Sequence, residues 1–252
     1  MLKDKTIAVW FSCGAASAVA AKKTIEKYGE HNTVRVINNP VKEEDKDNQR
    51  FLVDVEDWLG VKIETSINPK YPNCSIADTF VSKNGKGYMG GIYGAPCTLQ
   101  LKKKARQHWE SENHHDYIVL GFTADEKKRH ERFAQNERSN ILPILIDEKI
   151  TKADCYLIIQ DAGLTLPRIY KQGYPNANCI GCVKATSATY WNHVRKMHPE
   201  VFEDRAKKSR EYGARLVRLK GERIFLDELP SDAVGRPMKN MEVECGIFCD
   251  MK

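Results

Sequence analysis

Cys179-Ile180-Gly181-Cys182 stands inside the stretch Gly173-Tyr-Pro-Asn-Ala-Asn-Cys-Ile-Gly-Cys-Val-Lys184. Two thiols two residues apart, on a turn kept tight by Pro175, Asn178 and Gly181, can reach one metal centre or act as a redox pair, whereas a structural disulfide needs no such spacing. Cys97 upstream and Cys245-Gly-Ile-Phe-Cys249 near the end add further thiols in turn-like contexts. Cys97 comes directly before Thr98-Leu-Gln-Leu-Lys-Lys-Lys104. At a helix start, with three lysines nearby, its pKa falls and a thiolate is expected; an inert buried thiol is the other reading.

Two further stretches suit anion chemistry. Ser12-Cys13-Gly14-Ala15-Ala16-Ser17 follows the apolar run Thr6 to Phe11 and precedes an Ala/Lys-rich segment of high helix propensity that ends at Tyr28. Small side chains there let helix N-terminal N–H groups approach a phosphate or sulfate, although a tight strand-to-helix turn without a ligand accounts for them equally. The loop matches neither the P-loop nor the G-x-G-x-x-G pattern. Downstream, a buried strand ends at Gly121 and hands over to Lys127, Lys128, Arg129, His130 and Arg132. These are cations where a sheet exposes its ligand, or a solvated helix face.

The elements that must position these residues alternate. Strands are predicted at 6–11, 34–38, 61–65, 116–122 and 141–146, with helices to Tyr28, over 47–59 and 98–112, and over 151–162, where Thr151 is the cap and Gly163 the stop. That rhythm implies a parallel sheet with right-handed crossovers and a ligand beyond the carboxyl ends of the strands. Asp45, Asp47 and Asn48 fall near one such end and read best as a solvated acidic helix start. Residues 68–96 are Gly-, Asn- and Pro-rich and read as one long loop. Beyond the C-x2-C, helices are expected at 187–198 and 199–212, then a hairpin of 217–219 and 223–226, then a turn-rich tail. The expected organisation is a core of residues 1–172 and a cysteine-containing extension of 173–252 packed on it.

Composition narrows the class. A chain of 252 residues with 41% hydrophobic content can bury a real core. No apolar run approaches membrane-spanning length and the N-terminus lacks a signal-peptide layout, so a cytoplasmic protein without membrane contact is expected. Eight cysteines in a reducing compartment favour ligands, catalytic thiols and some inert buried residues over a disulfide framework. The net charge of +6 fits an anionic partner without distinguishing nucleic acid from nucleotide.

The order of these pieces resembles the sulfonucleotide reductases, the 3'-phosphoadenylyl-sulfate (PAPS) and adenylyl-sulfate (APS) reductases of the PP-loop, or adenine nucleotide α-hydrolase-like, superfamily. The resemblance is carried by Phe11-Ser-Cys-Gly-Ala-Ala-Ser17, Cys97-x4-Lys102, Gly121-Phe-Thr-Ala-Asp-Glu-x-x-Arg129-x-x-Arg132, Leu142-Pro-Ile-Leu-Ile146, Gly173-Tyr-Pro with the C-x2-C, and Glu244-Cys-Gly-Ile247. It implies a doubly wound, mostly parallel α/β sheet. It also implies an adenylyl nucleotide (PAPS, APS or ATP) held by Ser12, Cys13, Gly14, Ala15, Ser17, Lys102, Gly121, Arg129 and Arg132. A [4Fe-4S] cluster maps to Cys97, Cys179 and Cys182. Cys245 takes the place of the family's nucleophile, attacking the sulfate sulfur to give an S-sulfocysteine that a thioredoxin-like dithiol discharges.

Three departures keep alternatives open. Cys97 is single, so a fourth ligand has to be Cys245, Cys249, Cys74 or a non-protein group. Phe248-Cys249 replaces the family's ending, which makes Cys249 a resolving thiol or one of four zinc ligands with Cys179, Cys182 and Cys245. The Ser12–Ser17 loop also lacks the Ser-Gly-Gly-x-Asp-Ser of ATP-using members. The expected function is therefore a PAPS-reductase-like enzyme. The alternatives are an ATP-dependent sulfurtransferase acting on a nucleic acid or small molecule, and a zinc-stabilised nucleotide-binding protein without catalysis.

Overall fold

The computed structural model describes residues 2–80, 87–90 and 94–238. Cys245 and Cys249, with the rest of the tail motif, lie outside the described residues.

Continuous runs of side chains buried on both faces build the sheet. Strands β1 (Thr6–Phe11), β2 (Thr33–Asn38), β3 (Ile63–Thr65), β4 (Tyr117–Val119) and β5 (Ile141–Leu142) form one sheet in the order β3-β2-β1-β4-β5. Every pairing in it is parallel, with Val9 opposite Val36 on one side of β1 and Val119 on the other. Helices α1 (Ala15–Tyr28) and α2 (Asp47–Leu59) follow the first two strands. Successive residues of β1 point to opposite faces. Ile7, Val9 and Phe11 join the core formed with Val36, Phe51, Val55 and the alanines of α1. Trp10, on the other face, meets the ring of Trp109 edge-on at 5.5 Å. With apolar cover on both faces, the sheet is the doubly wound α/β arrangement expected.

The remaining elements are α3 (Ile76–Thr79), a π-helical stretch (Thr98–Lys104) running into α4 (Ala105–Glu112), α5 (Lys127–Asn136), α6 (Ile144–Asp147), α7 (Lys152–Asp161), α8 (Arg168–Lys171), α9 (Ala188–Met197), α10 (Pro199–Glu211), and a small antiparallel hairpin of β6 (Val217–Leu219) and β7 (Glu222–Ile224). The chain forms two compact units. Within the described range one unit comprises residues 2–40, 46–66 and 107–170, and the other 41–45, 67–106 and 171–238. The second is thus assembled from three separate segments, two of which lie inside the stretch expected to be a continuous core.

Three local expectations differ. The strand expected over 141–146 ends at Leu142, and Ile144 to Asp147 form a helical turn. Pro143 between them has no N–H for a ladder bond and its ring fixes φ, so the strand stops there. The 98–112 helix begins as a π-helix, with hydrogen bonds widened by one residue in its first turns. Third, the acidic start of α2 is not a solvated one. Asp45 and Asn48 are buried, and Asp47 receives the Arg50 guanidinium at 2.8 Å and the Arg168 N–H at 2.8 Å. Thr151 caps α7 as expected, its hydroxyl accepting the Asp154 N–H at 3.2 Å, and Gly163 takes φ +77° after the helix.

The Arg50 hydrogen bond holds the Asp47 carboxyl down at a pKa of about 2 against an ordinary 3.8. A depressed carboxylate contributes stability that is complete above about pH 4 and disappears as pH falls through about 2. Denaturant midpoints measured at pH 5 and pH 2 should therefore converge in Asp47→Asn relative to the wild type, with the loss confined to the higher pH.

Candidate active site

The loop expected to hold an anion lies in the first unit. After β1 the chain turns at Cys13, which adopts φ +55°, and enters α1 with Gly14 as its N-cap. A left-handed conformation is glycine's by preference and strains any other residue, so Cys13 holds a glycine-type turn at a small energetic cost. Its thiol is buried and accepts an N–H from Asn38 at 3.5 Å, and the same amide group donates to the Phe11 carbonyl at 2.8 Å. Ser17 closes the loop: its hydroxyl accepts the Ser12 N–H at 3.1 Å and donates to the Gly14 carbonyl at 2.9 Å. The first-turn N–H groups of a helix have no intrahelical acceptor. One of them, that of Ala15, donates to the Tyr170 hydroxyl at 3.2 Å. Burial pushes that phenol well above its ordinary pKa, so it stays neutral.

Gly121 lies against this loop. A Cβ there would sit 2.7 Å from the Ser17 nitrogen and 2.9 Å from its α-carbon, both backbone atoms that cannot swing away. The parallel β1–β4 pairing brings the two loops together, and the missing side chain lets them touch. Arg129, by contrast, is committed within its own helix region. Its guanidinium bonds Glu126 at 2.5 Å and lies over the Phe122 ring at 5.2 Å. Arg132 is exposed.

The second unit contains the C-x2-C, and here the geometry is more specific than the spacing suggests. Cys179 and Cys182 are both buried and, with Tyr174, Pro175, Asn176, Asn178 and Tyr190, line a cavity of about 20 Å³. That volume takes one water-sized group. The Tyr190 hydroxyl accepts the Cys182 N–H at 2.9 Å and donates to the Cys179 carbonyl at 3.4 Å, clamping the two ends of the motif. Gly181 takes φ +67°, and a Cβ there would meet Val201 of α10 at 2.8 Å, so the turn needs glycine on both counts. Arg205, 4% exposed, donates to the Gly181 carbonyl at 3.3 Å. The same guanidinium is paired with the Asp204 carboxylate, so it ties the cysteine turn to α10. Tyr190 and Arg205 are not singled out by sequence. They lie on α9 and α10, well downstream of the cysteines, and no motif marks them.

Cys97 is also buried and directly precedes the π-helical stretch, in the same unit. Lys102, expected at the anion site of the core, instead belongs to this unit, where its ammonium meets Glu44 at 3.1 Å with both side chains nearly buried. Two cysteines are unsuited to nucleophilic work. Burial pushes the Cys155 thiol up to about 12, and it raises Cys74 as well, outweighing the lowering by Lys102. The soft, all-thiol donor set of Cys97, Cys179 and Cys182 matches iron-sulfur or zinc chemistry. Among the described residues, however, no three His, Cys, Asp or Glu side chains are arranged to hold a metal ion. The metal set is therefore incomplete there.

No family model matches the chain. No curated protein matches it either. Among solved structures it is similar to the U34-tRNA thiolase NcsA from Methanococcus maripaludis with its [4Fe-4S] cluster, at 14% identity and a TM-score of 0.46, over 84% of this chain and 68% of that one. No helix among the described residues is long and apolar enough to cross a membrane.

Two substitutions test this geometry. Tyr190→Phe leaves the buried Cys182 N–H without its acceptor, which should cost about 1–3 kcal/mol of stability and speed alkylation of Cys179 and Cys182, read by mass spectrometry after iodoacetamide. Gly121→Ala forces the Ser12–Ser17 loop away from β4. A loss of about 1–3 kcal/mol in thermal unfolding is expected, together with weaker nucleotide binding by calorimetry.

Proposed function

We propose that this chain is a nucleotide-dependent sulfurtransferase of the PP-loop kind, which activates an acceptor oxygen with ATP and replaces it by sulfur carried on the Cys179–Cys182 pair. The observation that carries the reading is the C-x2-C itself: two buried thiols on one cavity sized for a single small group, clamped by Tyr190 and set beside the Arg205 guanidinium. A cavity of that size accommodates a single sulfur-sized atom beside the two thiols, which suits transfer of one sulfur. The Ser12–Ser17 loop, with a strained Cys13 and the N-terminus of α1, is the element suited to the nucleotide's phosphates.

In this reaction the acceptor oxygen attacks the α-phosphorus of ATP and pyrophosphate leaves. A persulfide on Cys179, formed from a sulfane donor such as thiosulfate, attacks the activated carbon with its terminal sulfur and AMP departs. Cys182 then attacks the Cys179 sulfur, the thiolated acceptor leaves, and a dithiol of the thioredoxin type reduces the resulting Cys179–Cys182 disulfide.

A second reading keeps the same thiols as ligands. The all-thiol donor set of Cys97, Cys179 and Cys182 suits the chemistry of a [4Fe-4S] cluster, with Cys245 as the fourth ligand, although the three are not gathered to hold a metal among the described residues; when bound it would supply an iron site for a sulfur atom. Sulfonucleotide reduction, in turn, depends on Cys245 as nucleophile, with Cys249 as its resolving partner.

These readings separate in one set of assays. Protein purified without oxygen and given ATP with bulk nucleic acid should release pyrophosphate, and Cys179→Ser and Cys182→Ser should each abolish sulfur transfer while pyrophosphate release continues. Indifference to ATP, with sulfite formed from APS or PAPS and a sulfonated Cys245, would replace the proposal by a reductase. Iron near four atoms per chain, lost in Cys179→Ser, would turn the thiol pair into cluster ligands.

A further inference from the structure

The β6–β7 hairpin carries a charge pattern that the reaction above does not use. Its register sets Arg218 directly opposite Arg223, with Val217 opposite Ile224 and Leu219 opposite Glu222. Cross-strand partners share a face, so both guanidinium groups leave on the same side, and like charges placed so destabilise a hairpin. The opposite face is the apolar one, with Val217 fully buried and Leu219 and Ile224 half-buried. The turn is Lys220-Gly221, with φ +48° and +91°, the left-handed pair of a two-residue hairpin loop, and it puts a third cation at the tip. Arg215, just before β6, is a fourth, and all four are exposed.

The one carboxylate on the ribbon, Glu222, pairs with Leu219 and so leaves on the other face. The nearby acids Asp227 and Glu228 are engaged by Arg210, at 2.8 Å and 2.7 Å. Arg223 is steadied only by carbonyls, donating to that of Leu216 at 3.3 Å, and Arg215 lies over the Phe225 ring at 5.3 Å. Among the described residues none of Arg215, Arg218, Lys220 and Arg223 forms an ion pair. The hairpin is nevertheless firmly mounted. The Arg218 N–H donates to the Thr186 carbonyl at 2.8 Å, four residues beyond Cys182, and Ser187 bridges to Arg218. The Arg218–Arg223 pair thus repels across the ribbon and has no ion-pair partner among the described residues.

We propose that this face docks on double-stranded DNA, the two-stranded ribbon lying in the major groove with Arg218, Lys220 and Arg223 meeting the phosphates that border it. The major groove of B-DNA, roughly 12 Å wide, admits a two-stranded β-ribbon. The deep, narrow major groove of A-form RNA does not. The inference rests on the sulfurtransferase reading only in naming an acceptor class for it; docking itself needs neither nucleotide nor sulfur.

Fluorescence anisotropy of the full chain, without ATP or sulfur donor, would be measured against a labelled 20-base-pair DNA duplex, the same sequence as an RNA duplex, and phosphatidylserine vesicles. The DNA duplex should bind at least about tenfold more tightly than the RNA. Arg218→Gln/Arg223→Gln should weaken DNA binding about tenfold or more and lower the slope of log affinity against log salt by about 1.8, which is about 0.9 for each phosphate no longer neutralised. Arg218→Lys/Arg223→Lys, which keeps the charge, should keep the slope. An unchanged slope in the folded Gln variant, equal affinity for RNA, or binding to vesicles alone would overturn the proposal. Loss of sulfur transfer with DNA binding intact would count against the reaction and leave this surface standing.

Discussion

The approach of Gly121 to the backbone of Ser17 is the contact on which the shape of the loop after β1 rests. Parallel pairing of β1 with β4 brings the loops after these strands side by side at the carboxyl end of the sheet, and a Cβ at 121 would come within 2.7 Å of the Ser17 nitrogen. Because that side chain is missing, α1 can begin immediately after the strand and Ser17 can reach back to bond both Ser12 and Gly14. The left-handed turn at Cys13 is the other half of the same constraint. A chain that must reverse within three residues between a strand and a helix needs one residue in glycine's region, and here a cysteine buried beside Asn38 accepts it. Strain of this kind persists where surrounding bonds over-determine it, and such places are often sites of function.

In the second unit the organising element is the Tyr190 hydroxyl. It satisfies a donor and an acceptor at opposite ends of the C-x2-C, so the backbone of the turn is held at both ends. Gly181, pressed against Val201, and the Arg205 guanidinium on the Gly181 carbonyl tie the same turn to α10. Burial cuts both ways here. It pushes the Cys155 thiol up to about 12 and raises Cys74 as well, while at the C-x2-C it fixes the turn through Tyr190 and Arg205. Eight cysteines in one chain thus do not form one population.

Much of the fold is legible because it depends on short-range periodicity. The apolar run Thr6 to Phe11, the alanines of α1, and Thr151 and Gly163 at the two ends of α7 all read correctly from residue type and spacing. Pro143 is legible in principle, but the run of isoleucines and leucines around it masks the ladder bond that proline cannot make. The acidic group at 45–48 misleads because charge in sequence suggests solvent, whereas Arg50 and Arg168 come round to meet Asp47. Lys102 looks like an anion partner for the same reason. Its counter-charge, Glu44, is 58 residues away.

By itself the sequence determined that a parallel α/β sheet forms, that a small-residue loop follows its first strand, and that Cys179 and Cys182 share one turn, since each of these follows from neighbours a few residues apart. Only the tertiary structure decided which charges are compensated, which thiols are silenced by burial, that Tyr190 and Arg205 hold the cysteine turn, and that segments 41–45 and 67–106 fold with residues 171–238. The physical reason is common to all of them. Electrostatics and burial depend on distances through space between residues far apart in the chain, and periodicity carries no information about those distances.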